Sequence, residues 1–212
     1  MTKDKKILIL DIDGTLVNSR KEITPLTLSY LHEIQEKGHI VALASGRPYP
    51  GMKGYAEQLG LDKMGGYAVS FNGARIISCR DGSAVYEKTM PNHYLKDIYN
   101  YATEHGIGMV TYKDDMVVTG TRIDDYMEYE ARLNYMPLKH IDNFCEEVDF
   151  DMVKCLLTAE PEYAAQCEKE LYDMLSPELN VFRSEPYFIE ITMQGVDKAE
   201  SIDHLLKILD IP

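Results

Sequence analysis

The apolar run at residues 6–12, KILILDI, is the feature that most constrains how this chain folds. Isoleucine and leucine dominate it without the polar alternation of a half-exposed strand, which is typical of a strand buried on both faces of a parallel sheet. The run ends in acidic residues, and ligands of open α/β sheets bind beyond the carboxyl ends of the strands. We therefore expect a parallel sheet whose functional residues begin where this first strand ends.

A helix and two further strands follow this run. Thr24 can cap the helix, Pro25 suits its first position and Gly38 ends it. Residues 40–44 form a second buried strand, and the strand, helix, strand order implies a right-handed parallel crossover. Residues 67–71 are a third short apolar run. The predicted fold class is α/β, with a Rossmann-like parallel sheet whose three strands all end at candidate site residues.

The segment at residues 76–194 has a different pattern of predicted strands and helices. Its short strands, joined by Asp-Gly and Asp-Asp turns, alternate with helical stretches, which indicates antiparallel pairing in a separate α+β domain. After it, Asp197 can cap a last amphipathic helix. We predict a Rossmann-like core formed by residues 1–75 and 195–212, with 76–194 inserted between its two segments as a large α+β domain.

The charge balance limits the partners of the chain. Its 22 lysine and arginine residues against 35 aspartate and glutamate residues give a net charge of −13, which disfavours phosphate backbones and anionic membrane surfaces. No apolar stretch approaches the ~20 residues needed to span a bilayer. The four cysteines have no CxxC spacing and no histidine cluster beside them, so neither a zinc site nor a disulfide framework is indicated. We expect a cytoplasmic protein that binds neither nucleic acid nor membrane.

Asp11 and Asp13, in the motif DIDGT, are the first candidates for chemistry. Strand alternation puts both on the same side with one residue between them, so that two carboxylates converge on one point. A hard cation with oxygen ligands, Mg²⁺ above all, fits such a pair better than zinc does. An acidic turn at the end of a strand would give the same motif, and on this pattern alone the two interpretations stay about equal.

Three segments resemble the Cof-type branch of the haloacid dehalogenase superfamily. They are LDIDGTLVNSRKEITPLTLSYLHEIQEKGHIVALASGRP at residues 10–48, FNGARI at 71–76 and GVDKAESI at 195–202, in the order of that family. The resemblance implies a Rossmann-like core with an α/β cap domain at 76–194, and hydrolysis of phosphate esters through an aspartyl-phosphate. The expected substrates are phosphosugars or similar small phosphorylated metabolites.

The resemblance also implies a role for each matching residue. Asp11 would be the nucleophile and a Mg²⁺ ligand through its carboxylate. Asp13 would be the general acid and base, and would bind Mg²⁺ through its backbone carbonyl. Ser45 and Gly46 would hold the phosphoryl oxygens with a hydroxyl and a backbone N–H. Lys198, in the first turn of the last helix, would attract phosphate together with the helix dipole.

Three further residues are weaker candidates for substrate binding. Asn72 and Gly73 would place an amide and a flexible backbone beside the substrate, although a plain Asn-Gly turn explains the same pair nearly as well. Arg47 either steadies the phosphate pocket or pairs with a surface acid. The sequence leaves both pairs of alternatives open.

One expected motif is missing from the sequence. The resemblance calls for a GDxxND-like strand end whose carboxylates complete the Mg²⁺ site, and no such motif precedes Pro212. In the superfamily the missing strands flank the first strand, so we expect residues 7–10 to form an exposed apolar edge. The chain is then a fragment of a longer protein, or another chain pairs at that edge, which predicts self-association.

Two other functions stay open. A phosphomannomutase-like phosphotransferase shares the DxDGT nucleophile and would transfer phosphate to a second sugar rather than to water. A non-catalytic phosphoester-binding protein would explain the missing carboxylates. Mg²⁺-dependent hydrolysis of p-nitrophenyl phosphate by the purified chain would separate these functions.

Overall fold

The computed structural model describes residues 5–211. Within that range the chain forms two compact units, one from residues 5–87 with 197–211 and the other from Lys88–Val196. Each unit contains its own β-sheet, so that the two are described separately.

The helices and strands alternate along most of the chain. The strands are β1 (Ile7–Asp11), β2 (Ile40–Ala44), β3 (Tyr67–Ser70), β4 (Arg75–Ser78), β5 (Ala84–Glu87), β6 (Gly108–Lys113), β7 (Met116–Thr119), β8 (Leu138–His140), β9 (Cys155–Thr158), β10 (Leu179–Glu185) and β11 (Phe188–Met193). The α-helices are α1 (Pro25–Glu36), α2 (Pro50–Gln58), α3 (Leu61–Met64), α4 (Leu95–Glu104), α5 (Asp125–Leu133), α6 (Phe144–Glu147), α7 (Pro161–Leu175) and α8 (Lys198–Ile208), with 3₁₀ turns at Phe71–Gly73 and Asn92–Tyr94. Over residues 5–211, no helix is long and apolar enough to cross a membrane.

The sheet of the first unit has the order β1-β2-β3-β4-β5. The first three strands are parallel, with Ile7 opposite Ile40 and Ala42 opposite Tyr67. The last three are joined by antiparallel pairing. The predicted α/β class and the parallel arrangement of the first three strands are confirmed. Among the described residues β1 pairs only with β2, so it is an edge strand.

β2 is buried along its whole length because apolar residues cover both faces of the sheet. Val41 and Leu43 belong to the core that this sheet shares with α1, α2 and α3. Ala42 and Ala44 belong to the core on the opposite face, which includes Leu205 of α8. This two-residue alternation explains why the strand is a continuous apolar run in the sequence.

The two helices that flank the predicted site begin at the expected caps. The Thr24 hydroxyl accepts a hydrogen bond from the N–H of Thr27 at 3.2 Å, at the start of α1. The Asp197 carboxylate accepts one from the N–H of Glu200 at 2.7 Å, at the start of α8. Each cap satisfies a backbone donor that the helix itself leaves without a partner. The second cap also makes Lys198 the first residue of α8.

The second unit has a six-stranded sheet in the order β10-β11-β9-β6-β7-β8. Its neighbouring strands are antiparallel except for the parallel pair β7 and β8. Its core contains Ile98 of α4, Leu157 of β9 and Leu171 of α7. The antiparallel pairing and the alternation with helices that the sequence predicted for this block are confirmed.

The first unit extends further along the chain than the predicted core segment. The sequence prediction ended that segment at Arg75, whereas the first unit continues through Glu87. β4 and β5 cause the difference, because β4 pairs with β3 and β5 pairs with β4. The return to the first unit lies between Val196 and Asp197, close to the predicted position. The catalytic and cap roles of the two units stay predictions.

Candidate active site

The carboxyl end of β1 and the first residue of α8 meet at the candidate site. Asp11 is the last residue of β1, and Lys198 is the first residue of α8. The Lys198 ammonium donates a hydrogen bond to Oδ1 of Asp11 and forms an ion pair with it. The two side chains are 38% and 39% exposed, so the pair remains accessible to a ligand. Two predicted site residues from opposite ends of the chain therefore lie in contact.

Asp13 lies next to two cationic side chains. The Arg47 guanidinium donates two hydrogen bonds to it, from Nε to Oδ2 and from Nη2 to Oδ1, both at 3.0 Å. The Lys21 ammonium donates a third to Oδ1 at 2.6 Å. Partial burial by itself raises the pKa of Asp13, but the hydrogen bonds and positive charges of Arg47 and Lys21 outweigh it and hold that pKa below its usual value. Of the two alternatives for Arg47, pairing with an acid is observed, and the acid is itself a candidate site residue.

Lys21 is a site residue that the sequence analysis did not predict. It lies in the loop between β1 and α1, its φ is +60°, and its side chain is 56% exposed. Most lysines are solvated on the surface, and the sequence around Lys21 contains no glycine that would indicate a left-handed turn. No sequence signal could therefore have distinguished it from the other lysines.

The loop after β2 holds two of the predicted phosphate-binding residues. Ser45 is buried, its N–H donates to the carbonyl of Val69 at 2.9 Å, and its hydroxyl oxygen accepts from the N–H of Arg47 at 3.2 Å. A side chain at Gly46 would have its Cβ 3.1 Å from Oδ1 of Asn72. Gly46 is therefore a position where the amide of Asn72 closely approaches the backbone.

The turn after β3 is held against that loop by backbone hydrogen bonds. The N–H of Asn72 donates to the carbonyl of Ser45, and the N–H of Phe71 donates to the carbonyl of Arg47, each at 3.0 Å. Phe71 and Asn72 both have a left-handed φ, of 51° and 56°, and Gly73 follows with 108°. The Asn-Gly pair is thus a turn between β3 and β4, and the same turn brings the Asn72 side chain to the candidate site.

Gly73 also lies against the start of α8. A Cβ on Gly73 would lie 2.3 Å from the carbonyl oxygen of Asp197 and 2.9 Å from the hydroxyl oxygen of Ser201. Only a glycine permits this approach, because the space is too small for any side chain and the φ is positive. The residue therefore helps to determine where the first turn of α8, with Lys198, lies relative to β1.

The sequence of the chain matches a known family of enzymes. The match is to the haloacid dehalogenase-like hydrolases and covers residues 8–212. The chain belongs to this family. The family resemblance inferred from the DIDGT, SGRP, FNG and GVDKA segments is therefore confirmed, and so is the prediction of a haloacid dehalogenase-like enzyme.

Individual hydrolases of this family are similar to the chain over nearly its whole length. A crystal structure of a haloacid dehalogenase-like hydrolase from Bacteroides thetaiotaomicron superposes with a TM-score of 0.90 at 37% identity, covering 99% of this chain and 78% of that one. YxeH of Bacillus subtilis (strain 168) is 26% identical over 209 residues, which are 97% of this chain and 77% of YxeH. The 5-amino-6-(5-phospho-D-ribitylamino)uracil phosphatase YitU of the same strain is 24% identical over 209 residues, 97% of this chain and 76% of YitU.

The carboxylate and carbonyl oxygens near Asp11 suit a hard divalent cation as its ligands in this haloacid dehalogenase-like hydrolase. Among the residues that the structure describes, Oδ2 of Asp11 has no hydrogen-bond partner, while Oδ1 accepts from Lys198. Both carboxylate oxygens of Asp13 accept hydrogen bonds from cations, which is compatible with the predicted use of its backbone carbonyl as the ligand. Carboxylate and carbonyl oxygens are ligands that Mg²⁺ prefers, and water commonly completes its shell. Residues 5–211 contain no cluster of three or more acidic, histidine or cysteine residues that could hold a metal ion.

Proposed function

We propose that this chain hydrolyses phosphate monoesters of small metabolites, such as phosphosugars, through an aspartyl-phosphate on Asp11. The observation that carries the proposal is the contact between Lys198 and Asp11, because it puts a phosphate-attracting ammonium beside a carboxylate that can attack phosphorus. Membership of a hydrolase family supports it. The name of the relative YitU, a phosphatase of a phosphoribityl compound, supports a sugar-like substrate.

In the first step, a carboxylate oxygen of Asp11 attacks phosphorus and the bond between phosphorus and the ester oxygen breaks. The ester oxygen leaves as an alcohol after it takes a proton from Asp13. The phosphoryl group is then covalently bound to Asp11. Ser45, the backbone N–H of Gly46 and Lys198 would bind its oxygens, where negative charge collects in the transition state.

In the second step, Asp13 acts as a base. It takes a proton from a water molecule whose oxygen attacks the phosphorus of the aspartyl-phosphate. Inorganic phosphate leaves and the Asp11 carboxylate is regenerated. The hydrogen bonds from Arg47 and Lys21 favour the ionised form of Asp13, which this second step uses, and they oppose the protonated form that the first step uses.

The remaining predicted residues would act around these two carboxylates. Asp11 and the backbone carbonyl of Asp13 would hold a Mg²⁺ ion, which supplies positive charge that offsets the negative charge of the phosphate. Asn72 and Gly73 would lie beside the substrate, and Arg47 would orient Asp13. We further propose the catalytic role for the first unit, a substrate-selecting cap role for the second, and a cytoplasmic location.

The test is the release of phosphate from p-nitrophenyl phosphate, with Mg²⁺ and with a chelator, by the wild type and by Asp11→Asn. The wild type should release phosphate only with Mg²⁺, and Asp11→Asn should release none, because an amide cannot attack phosphorus. Asp142→Asn is a matched control, since the Asp142 side chain is 97% exposed. Near-normal hydrolysis by Asp11→Asn would contradict the aspartyl-phosphate. Transfer to an added sugar in place of water would instead favour a phosphotransferase.

A further inference from the structure

The turn that carries Lys21 is held by its own hydrogen bonds. The N–H of Lys21 donates to the carbonyl of Asn18 at 2.9 Å, and the N–H of Asn18 donates to the carbonyl of Glu22 at 3.0 Å. The side-chain oxygen of Asn18 accepts from the N–H groups of Arg20, at 2.8 Å, and Glu22, at 3.1 Å. The Tyr55 hydroxyl of α2 donates to the carbonyl of Lys21 at 3.3 Å. Hydrogen bonds therefore hold both the N–H and the carbonyl of Lys21, one within the turn and one from α2.

The conformation of Lys21 is unfavourable for a lysine. A left-handed φ of 60° costs a residue with a side chain roughly 1–2 kcal/mol, and glycine would adopt it without that cost. Backbone strain of this kind persists where the surrounding structure imposes it, and it is common at functional sites. In the described part of the chain, the Lys21 side chain has one hydrogen-bond partner, which is Asp13.

Lys21 and Arg47 together determine how the Asp13 carboxylate is oriented. The Arg47 side chain is 11% exposed and its guanidinium donates to both carboxylate oxygens of Asp13. Lys21 approaches the same group from the loop and adds a second donor to Oδ1. Three hydrogen bonds from two elements therefore hold a side chain that is itself 40% exposed.

We propose that Lys21 is a positioning residue that, with Arg47, holds the Asp13 carboxylate in the orientation from which it serves the reaction. This inference rests on the proposed role of Asp13 as the acid and base. Lys21 itself touches neither the attacking oxygen nor the phosphoryl group in this role. Its loss should therefore lower kcat with little change in KM.

The experiment compares phenyl phosphate with p-nitrophenyl phosphate. The two esters are similar in shape, but phenolate is the more basic leaving group and depends more on a proton from Asp13. The variants are Lys21→Gly, which removes the ammonium and relieves the left-handed strain, and Lys21→Arg, which keeps a cation. Arg20→Ala is the matched control on the same turn, where Arg20 pairs with Glu22. Each variant is made with Asp13 present and with Asp13→Asn.

We expect Lys21→Gly to lower kcat on phenyl phosphate by about fivefold, which is about 1 kcal/mol and the upper worth of an exposed ion pair. The decrease in kcat should be smaller on p-nitrophenyl phosphate and absent when Asp13 is replaced by Asn. Lys21→Arg should keep kcat close to that of the wild type, and Arg20→Ala should not change it. An equal loss on both esters, an equal loss without Asp13, or no loss at all would overturn the inference.

Crystal structures of the wild type, Lys21→Gly and Lys21→Arg separate this inference from the proposed function. The wild type and Lys21→Arg should show one orientation of the Asp13 carboxylate, and Lys21→Gly should show a different orientation or several. If neither ester is hydrolysed with Mg²⁺, the proposed function fails, while a reoriented Asp13 in Lys21→Gly would still support positioning. An unchanged carboxylate in Lys21→Gly would overturn it whatever the activity.

Discussion

The two acids of the DIDGT motif have different electrostatic surroundings. Asp11 contacts a single ammonium, that of Lys198, and keeps one carboxylate oxygen without a partner among the described residues. Asp13 uses both oxygens to bind two cations. The free oxygen of Asp11 suits attack or metal binding, whereas the Asp13 carboxylate is held in one orientation by its two cationic neighbours. The catalytic roles that the family resemblance implied for these two acids stay predictions.

The role of Asp13 gives a prediction about rate. Asp13→Asn should lower turnover of phenyl phosphate by ~10² to 10⁴, the usual worth of a positioned acid and base. The loss should be smaller with p-nitrophenyl phosphate because its leaving group needs less protonation. Steady-state measurements on both esters test this. An unchanged rate on phenyl phosphate would remove Asp13 from the proton-transfer role.

The cysteines give a prediction about reactivity. Burial raises the pKa of both Cys79 and Cys155 to about 12, and it also raises that of Cys167. Cys145 is the one of the four that is only partly buried, although its pKa is raised as well. The thiolate is the reactive form, so a thiol reagent at pH 8 should modify Cys145 first and the others after unfolding. Peptide mapping tests the order, and rapid labelling of Cys79 in the native protein would contradict it.

The position of α8 depends on the turn after β3. Gly73 contacts the backbone of Asp197, and Asp197 caps the helix that begins with Lys198. Any shift of this contact moves the Lys198 ammonium relative to Asp11. The position of the Lys198 ammonium therefore depends on the packing of α8 against the turn after β3, and not on the sequence of the loop before α8 alone.

Gly73→Ala tests this arrangement. We expect it to lower the free energy of unfolding by about 2–4 kcal/mol, because overpacking adds to the strain of a positive φ, and to lower the turnover of p-nitrophenyl phosphate as Lys198 moves. Gly82→Ala is the control, since Gly82 also has a positive φ, of 73°, but open space around it. It should cost about 1 kcal/mol and leave turnover unchanged. Equal effects of the two substitutions on stability and turnover would exclude the steric contact as the cause.

The first unit has an apolar strand at one edge of its sheet. Ile7, Leu8, Ile9 and Leu10 in β1 are only half-buried, and among the described residues their strand has one neighbour. The exposed backbone donors and acceptors of such an edge are available for pairing with another strand. Burying such a side chain from full exposure is worth about 1.5–3 kcal/mol, so completing the burial of these four half-buried ones would contribute a substantial part of the stability of a domain.

We therefore predict that the chain either self-associates through β1 or unfolds at a low temperature. Sedimentation at several protein concentrations and a thermal melt distinguish these outcomes. Ile7→Lys should weaken the association because a charge opposes edge pairing, whereas Val85→Lys on the other edge strand, β5, should not. A monomer at all concentrations with a high melting temperature would contradict the prediction.

The sequence by itself determined the features that depend on local chemistry. The apolar runs of β1 and β2 and the caps Thr24 and Asp197 follow from residue types and their order. The approach of Lys198 to the end of β1 was implied by the family resemblance and not by residue types alone. The family followed from the same motifs.

Only the tertiary structure decided the features that depend on backbone angles and distant pairing. Lys21 meets Asp13 because a left-handed turn directs it there, and no residue type shows that this turn brings Lys21 to Asp13. Arg47 pairs with Asp13 because the loops after β1 and β2 lie side by side. The first unit extends to Glu87 because β4 pairs with β3 and β5 pairs with β4, and nothing in the sequence of β4 shows that it joins the sheet of β3.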